Sequence, residues 1–374
     1  MSYSYSPNDL LTSFERLKGT EEELLERASG DAPMTIVPTA SSTTPPLSSK
    51  NSDNIIVVAA TQLTGTGLPD SDVSGFCFRE ETAIEQAAQA GATVILLPEL
   101  WAGPYFCQSQ QANLMGLALP LERNVLIKRM QLLAKLYGVI LPISFYERQN
   151  NVLFNSIVVI DTDGSLVPGI SSNHASSGSN GPATVYRKTH IPDGTGYQEK
   201  FYFSPGDTGF KVFPTSLCNI GVAICWDQWF PEAARSMALM GADLLLYPTA
   251  IGSEPQDPTW NSSRHWQRVM QGHAAANMIP VVASNRFGTE ILLRDQDGTE
   301  QQRINFYGKS FITDITGDIV VEASDNRINQ PVVVITAEID KERNRRERAA
   351  WGMFRDRRPD VYGVLLTKDG GVKP

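Results

Sequence analysis

The chain repeats one strand–helix–strand pattern in its two halves. Residues 54–60 (Asn-Ile-Ile-Val-Val-Ala-Ala) are similar to residues 219–225 (Asn-Ile-Gly-Val-Ala-Ile-Cys), and residues 90–98 are similar to residues 240–248. In both halves a Gly-Ala pair precedes an apolar strand that ends at a proline. Continuous apolar strands that alternate with helices are typical of α/β proteins with buried sheets. The repeat therefore predicts two sheets packed face to face, with the helices outside.

The same alternation extends along the chain from Asn54. Apolar runs predict strands, and amphipathic runs closed by glycine predict helices. We expect strands at 54–61, 93–97, 139–146, 156–161, 212–213, 220–224, 244–247, 280–284, 311–314, 319–322 and 332–339, and helices at 78–90, 121–137, 231–239 and 265–277. Residues 1–53 read as a flexible N-terminal extension, because residues 35–52 are rich in Ser, Thr and Pro; a short helix is expected within it, at 10–28.

Composition excludes several classes of function. A net charge of −9 argues against a nucleic-acid partner, and no apolar run approaches the roughly 20 residues that span a bilayer. The four cysteines show no CxxC spacing and the four histidines no HxxxH pair, so no zinc site or disulfide framework is expected. These features predict a reduced, cytoplasmic compartment.

Cys225 stands between a predicted strand and a predicted helix. The strand covers residues 220–224, and Pro231 with Glu232 predicts the first turn of the helix. The positive end of a helix dipole favours a thiolate over a thiol, so this position suits a nucleophile. The alternative is a buried structural thiol, which is the usual state of a single cysteine.

A nucleophilic thiol needs a base and a cation that stabilises the electrophile. Glu99 follows an apolar strand and Pro98, where burial would raise the pKa of a carboxylate without a partner. Lys188 precedes a loop rich in Pro and Gly, and Glu199 lies within an aromatic run. Each of the three residues has a structural alternative, namely an ion-paired or solvated side chain. A Cys–His dyad with His190 is a further alternative, whereas His265 and His273 fit packing or hydrogen bonding.

Three segments together resemble the nitrilase (carbon–nitrogen hydrolase) superfamily. They are Leu97-Pro-Glu-Leu-Trp101, Tyr186-Arg-Lys-Thr-His-Ile191 and Gly221-Val-Ala-Ile-Cys-Trp-Asp227, in the order Glu, Lys, Cys. The resemblance implies a four-layer α-β-β-α sandwich in one domain over residues 54–367, with a Ser/Gly/Asn-rich insertion at 171–183 and a tail at 368–374.

Further segments are similar to the branch of this superfamily that hydrolyses N-carbamoylputrescine in polyamine biosynthesis. They cover residues 190–213, 247–254, 265–273 and 351–359. The resemblance implies that Glu99 is the general base, that Cys225 is the nucleophile and that Glu199 orients Lys188. Lys188 and the backbone N–H of Trp226 would hold the oxyanion. The resemblance implies a homo-oligomer, and it implies no metal or cofactor.

The small-molecule substrate of that branch carries a distal ammonium, which requires a carboxylate partner. We expect Glu254 to supply it, with Tyr105, Tyr197 and Trp226 along the aliphatic chain; a solvated loop acid is the alternative for Glu254. Another amidase of this fold, such as a β-ureidopropionase or an aliphatic nitrilase, is the nearest competing function. A non-catalytic binding protein is the second. The basic run at 343–358 is either an interface or a solvated arm.

Overall fold

The structure, a computed structural model, describes residues 54–64, 73–172, 183–294, 300–324 and 331–371. The extension at 1–53 with its predicted helix, and most of the insertion at 171–183, lie outside these residues. The helices are α1 Val73–Gln89, α2 Val125–Tyr137, α3 Pro231–Leu239, α4 Ser263–Asn277 and α5 Lys341–Trp351. The strands are β1 Ile55–Thr64, β2 Val94–Leu96, β3 Leu141–Gln149, β4 Val152–Ile160, β5 Ile170–Ser171, β6 Val185–Arg187, β7 Lys211–Pro214, β8 Asn219–Val222, β9 Leu244–Thr249, β10 Val281–Arg294, β11 Glu300–Tyr307, β12 Phe311–Thr313, β13 Ile319–Glu322 and β14 Val332–Asp340.

The strands form two sheets. The first runs in the order β14-β1-β2-β3-β4-β6, where β2 reaches β3 through the bond from Ile140 N–H to the Thr93 carbonyl (2.8 Å). The second runs in the order β13-β12-β10-β9-β8-β7-β5, with β11 paired to β10. The sheets join where the ends of β1 and β10 pair in parallel, with Gln62 opposite Asn285.

The sequence repeat corresponds to two β-α-β units. In the first half β1, α1 and β2 follow one another, and the two strands are parallel. In the second half β8, α3 and β9 do the same. The predicted similarity of the two halves is therefore confirmed.

The two faces of each sheet have different neighbours. Val58 and Ala60 on β1 share one apolar core with Val222 on β8 and Leu246 on β9, so the sheets pack face to face. Ala59 lies between Val58 and Ala60 and points to the opposite face of β1. It belongs to a separate apolar cluster with residues of α1 and α2. Helices α3 and α4 cover the outer face of the second sheet. The predicted four-layer α-β-β-α sandwich is thus confirmed.

The predicted elements are present, and their ends differ for local reasons. Helix α2 begins at Val125 rather than residue 121, because the side chain of Asn124 accepts the N–H groups of Leu126 and Ile127 (3.1 and 3.2 Å). It ends at Gly138, whose φ of 63° is left-handed. None of the described helices combines the length and the apolar character that crossing a bilayer requires.

Two of the features that were not predicted concern β10 and α5. Strand β10 continues to Arg294 and forms a hairpin with β11, although Arg286 and Glu290 interrupt its apolar pattern. Helix α5 has no apolar stripe. Its position is instead held by an ion pair, since Arg345 Nη2 lies 2.6 Å from Asp243 Oδ2. At least part of the basic run at 343–358 therefore contacts its own chain.

Candidate active site

Four of the predicted site residues meet where strands of both sheets end. Glu99 lies just beyond β2, Lys188 directly follows β6, and Cys225 lies just beyond β8. Lys188 Nζ donates to Glu99 Oε1 at 2.8 Å and to Glu199 Oε2 at 2.7 Å. Glu99, Glu199 and Lys188 are fully buried, and Cys225 is 6% exposed. The structure therefore places one cation between two carboxylates beside a thiol.

The electrostatics of this cluster keep the lysine charged. Burial alone would lower the pKa of Lys188, but Glu199 and Glu99 raise it well above its ordinary value. Burial raises the pKa of Glu199, against the effect of Lys188. The hydroxyl of Tyr105 donates to Glu199 Oε1 at 2.7 Å, so each oxygen of this carboxylate has a donor. Glu199 is thus fixed between Tyr105 and Lys188, and it fixes the ammonium in turn.

The surroundings of Cys225 favour its thiol over its thiolate. Burial raises its pKa well above the ordinary value, the charge of Glu99 raises it further, and Lys188 lowers it. The prediction of a thiolate stabilised by a helix dipole is therefore wrong. A 3₁₀ turn at Cys225–Trp229 separates the thiol from α3, which begins only at Pro231. Attack by this sulfur requires a base to remove its proton.

The backbone at Cys225 is strained. Its φ of 42° lies in the left-handed region, which residues other than glycine seldom adopt. The carboxylate of Asp227 holds the turn. Its Oδ2 accepts the Ile224 N–H at 3.0 Å and the Tyr186 hydroxyl at 2.6 Å, and its Oδ1 accepts the His190 N–H at 2.9 Å. Strain of this kind persists only where the surroundings determine the conformation fully.

The histidines support this turn. Nδ1 of His190 lies 2.7 Å from Asp227 Oδ1, and its ring stacks on Phe230 at 3.6 Å. The ring is therefore engaged with the turn, which disfavours the alternative of a Cys–His dyad. Nε2 of His273 lies 2.7 Å from the Gln228 carbonyl, as the hydrogen-bonding interpretation of this residue expected.

Sequence reasoning missed the support beneath Glu99. Arg286 on β10 donates from Nη2 to the carbonyls of Glu99 (3.1 Å) and Leu100 (2.5 Å). From Nη1 it donates to Glu290 Oε1 at 2.8 Å, and Glu290 Oε2 accepts the Tyr105 N–H at 2.7 Å. The ion pair of Arg286 and Glu290 therefore holds both ends of the segment from Glu99 to Tyr105. The available signal was two opposite charges four residues apart, Arg286 and Glu290, shortly after an apolar run.

The expected amine end of the site lies on the loop after β9. The Tyr197 hydroxyl accepts the Gly252 N–H at 2.9 Å and donates to the Ser253 carbonyl at 3.1 Å. Burial raises the pKa of Tyr197, and the charges of Glu254 and Cys225 raise it too. Tyr197 is therefore close enough to both Cys225 and Glu254 to interact with their charges. Glu254 is partly buried, and burial raises its pKa.

The other two predicted binding residues differ from each other. Tyr105 is fully buried and its hydroxyl is committed to Glu199, with its ring 5.9 Å from that of Tyr197. Trp226 is 41% exposed and follows the nucleophile directly. Tyr105 thus forms the inner wall, and Trp226 lies toward solvent. In the described ranges no three His, Cys, Asp or Glu side chains form a group suited to a metal ion.

Comparison with known proteins agrees with this geometry. The model of the carbon–nitrogen hydrolase family matches residues 57–348. An N-carbamoylputrescine amidase of Arabidopsis thaliana is 51% identical over 301 residues, which cover 80% of this chain and 93% of that protein. A citrullinase of Francisella tularensis is 49% identical over 288 residues, covering 77% and 91%. The crystal structure of a carbon–nitrogen hydrolase from Helicobacter pylori superimposes with a TM-score of 0.70 at 36% identity, covering 84% of this chain and 99% of that one.

Proposed function

Because this chain belongs to the carbon–nitrogen hydrolase family, we propose that it hydrolyses N-carbamoylputrescine to putrescine, ammonia and carbon dioxide. The observation that carries the proposal is Lys188, buried between Glu99 and Glu199 beside the buried Cys225. This arrangement supplies a base, a nucleophile and a cation for the oxyanion of an acyl-transfer reaction. The identity with the Arabidopsis amidase supports the choice of substrate.

The reaction begins when Glu99 takes the proton of Cys225 and the sulfur attacks the ureido carbon. The carbonyl oxygen becomes an oxyanion, which Lys188 and the backbone N–H of Trp226 stabilise; one such donor contributes about 3 kcal/mol in other enzymes. The intermediate collapses, and Glu99 returns its proton to the departing ammonia. Cys225 then carries an N-substituted carbamoyl group that retains the aminobutyl chain of the substrate.

Water completes the cycle. Glu99 takes a proton from the water that attacks the carbamoyl carbon, and it returns that proton to the sulfur as the C–S bond breaks. The released carbamate decomposes to putrescine and carbon dioxide. Lys188 is charged when the reaction begins, because Glu199 and Glu99 raise its pKa well above the ordinary value.

Glu254 distinguishes N-carbamoylputrescine from related ureido compounds. Its carboxylate would pair with the distal ammonium of the substrate, near the ring of Tyr197. Citrulline carries an α-carboxylate beside its ammonium, and β-ureidopropionate carries only a carboxylate. A second carboxylate at this position costs Coulomb energy, since like charges repel in a partly buried site. The expected order of kcat/KM is N-carbamoylputrescine, citrulline, then β-ureidopropionate.

Ammonia release from these three compounds and from an aliphatic nitrile tests the proposal. We expect turnover of N-carbamoylputrescine, and its loss in Cys225→Ser. Cys218→Ser is a matched control, because Cys218 is also a buried free thiol but lies at the start of β8, away from the cluster. Faster turnover of citrulline than of N-carbamoylputrescine would reassign the substrate. No turnover of any compound would favour the non-catalytic alternative.

A further inference from the structure

The two oxygens of the Glu99 carboxylate have different surroundings. Oε1 accepts from Lys188 Nζ at 2.8 Å and from Asn155 Nδ2 at 2.7 Å. Oε2 is buried and has no hydrogen-bond partner among the described residues. An unpaired buried oxygen is costly to keep, so it calls for an explanation. The asymmetry identifies Oε2 as the oxygen that is free to take a proton.

Asn155 connects this carboxylate to the strand that precedes the lysine. It lies on β4, fully buried, and its neighbour Ser156 pairs with Arg187 on β6. Its backbone carbonyl accepts the Lys188 N–H at 2.8 Å. One residue therefore contacts Glu99 through its side chain and Lys188 through its backbone. It fixes the distance between the base and the cation.

Lys188 alone cannot fix the orientation of the carboxylate. The terminal torsion of a glutamate is broad, so one donor leaves the group free to turn. The flexible ammonium of Lys188 can also follow an oxygen that moves. Two donors that reach Oε1 from different segments of the chain remove this freedom. The amide of Asn155, held within β4, supplies the fixed direction.

We infer that Asn155 is a positioning residue that commits Oε1 of Glu99 to hydrogen bonding and leaves Oε2 as the base. The inference rests on the proposed function, in which Glu99 moves protons to and from sulfur, ammonia and water. Asn155 itself takes no part in bond changes. Its removal should affect kcat rather than KM, because the orientation of the base matters in the transition state.

Asn155→Leu tests this role, since leucine has a similar size and no donor. We expect kcat to fall about 10- to 100-fold with KM within about twofold. Asn155→Asp, which keeps the shape, should also lower kcat, because it replaces the amide donor to Oε1 of Glu99 with a second carboxyl group that repels a carboxylate. This second variant also serves if Asn155→Leu does not fold.

Asn277→Leu is the matched control. Asn277 is 2% exposed, its Nδ2 donates to the His273 carbonyl at 2.8 Å, and its Oδ1 has no hydrogen-bond partner within the described chain. It lies on α4, outside the cluster. We expect a lower unfolding midpoint with the parent's kcat. If Asn155→Leu and Asn155→Asp also lose only stability and keep the parent's kcat, the inference is wrong.

A second measurement separates this inference from the proposed function. Alkylation of Cys225 by iodoacetamide needs the base but no ureido substrate. Asn155→Leu should slow it about tenfold at pH 7 in folded protein, whereas Asn277→Leu should not. If no ureido compound is turned over but Asn155→Leu is still alkylated more slowly than Asn277→Leu, only the proposed function is wrong. Equal alkylation rates in an active enzyme overturn only the role of Asn155.

Discussion

Replacing Asp227 with asparagine removes one acceptor from the turn that holds the nucleophile. Its Oδ2 now accepts the Ile224 N–H at 3.0 Å and the Tyr186 hydroxyl at 2.6 Å. An amide nitrogen at that position cannot accept a hydrogen bond from either group. The Tyr186 hydroxyl can still pair with it, because a hydroxyl can accept a hydrogen bond as well as donate one. The Ile224 N–H cannot reverse, so it stays buried opposite another donor.

The magnitude follows from the bonds lost. One hydrogen bond to a charged group contributes about 1.5–3 kcal/mol, and the left-handed backbone at Cys225 stores about 1–3 kcal/mol of strain. The weakened turn can release that strain by relaxing Cys225 toward ordinary dihedral angles. Asp227→Asn should therefore lower the free energy of unfolding by about 2–3 kcal/mol. It should lower kcat about 10- to 100-fold, since each 1.4 kcal/mol is a factor of ten.

Ammonia release and denaturant unfolding measure the two effects on the same samples. Asp243→Asn is the control. Asp243 is 5% exposed, and its Oδ2 accepts the Asn219 N–H at 3.0 Å. It pairs with Arg345 at the beginning of β8, whereas the nucleophile lies beyond the end of that strand. We expect it to lose stability and keep kcat. A kcat for Asp227→Asn within threefold of the parent, in folded protein, would refute the link between this carboxylate and the position of the thiol.

Four further outcomes are expected. Glu254→Gln should raise KM for N-carbamoylputrescine at least tenfold, about 1.4 kcal/mol; an unchanged KM in steady-state assays removes this residue from the site. Arg286→Met should cost about 3–5 kcal/mol in denaturant unfolding, because it leaves Glu290 buried without its cation; adding Glu290→Gln should restore part of that loss, and no restoration would contradict the pairing. Burial lowers the pKa of Lys211 to about 8, so between pH 8 and the ordinary value near 10.4 the unfolded state binds more protons. Unfolding curves should show the parent gaining stability relative to Lys211→Met as pH rises through that window. A constant difference between their free energies of unfolding would contradict the lowered pKa of Lys211. Since burial raises the pKa of Cys225, kcat/KM should show no limb near pH 8.5, where an ordinary thiol titrates.

The sequence predicted the chemistry of the cluster because Glu99 and Cys225 each follow an apolar strand, and Lys188 lies where a strand meets a loop rich in Pro and Gly. The sheets bring these strand ends together. The ionisation state of Cys225 was predicted wrongly, since it depends on burial in three dimensions and on the charge of Glu99, 126 positions earlier.

The supporting residues could not be found in the same way. Asn155 lies in the middle of β4, and the predicted strand began one residue after it because only the apolar part was recognised. Arg286 contacts Glu99 and Leu100, which precede it by 187 and 186 residues. Helix α5 lacks the apolar period on which helix prediction depends. Such roles depend on contacts between distant segments, which composition and spacing do not encode.

The repeat of the two halves explains why one chain has one reaction centre and not two. Pairing the repeated segments sets Glu99 against Thr249 and Cys225 against Ala60. The N–H of Glu99 donates to the carbonyl of Thr249 at 3.4 Å, so these two related positions lie side by side. Each half holds one reactive residue, and the corresponding position in the other half holds an unreactive one. The scaffold is symmetric, whereas the chemistry is not: neither half alone holds both a base and a nucleophile.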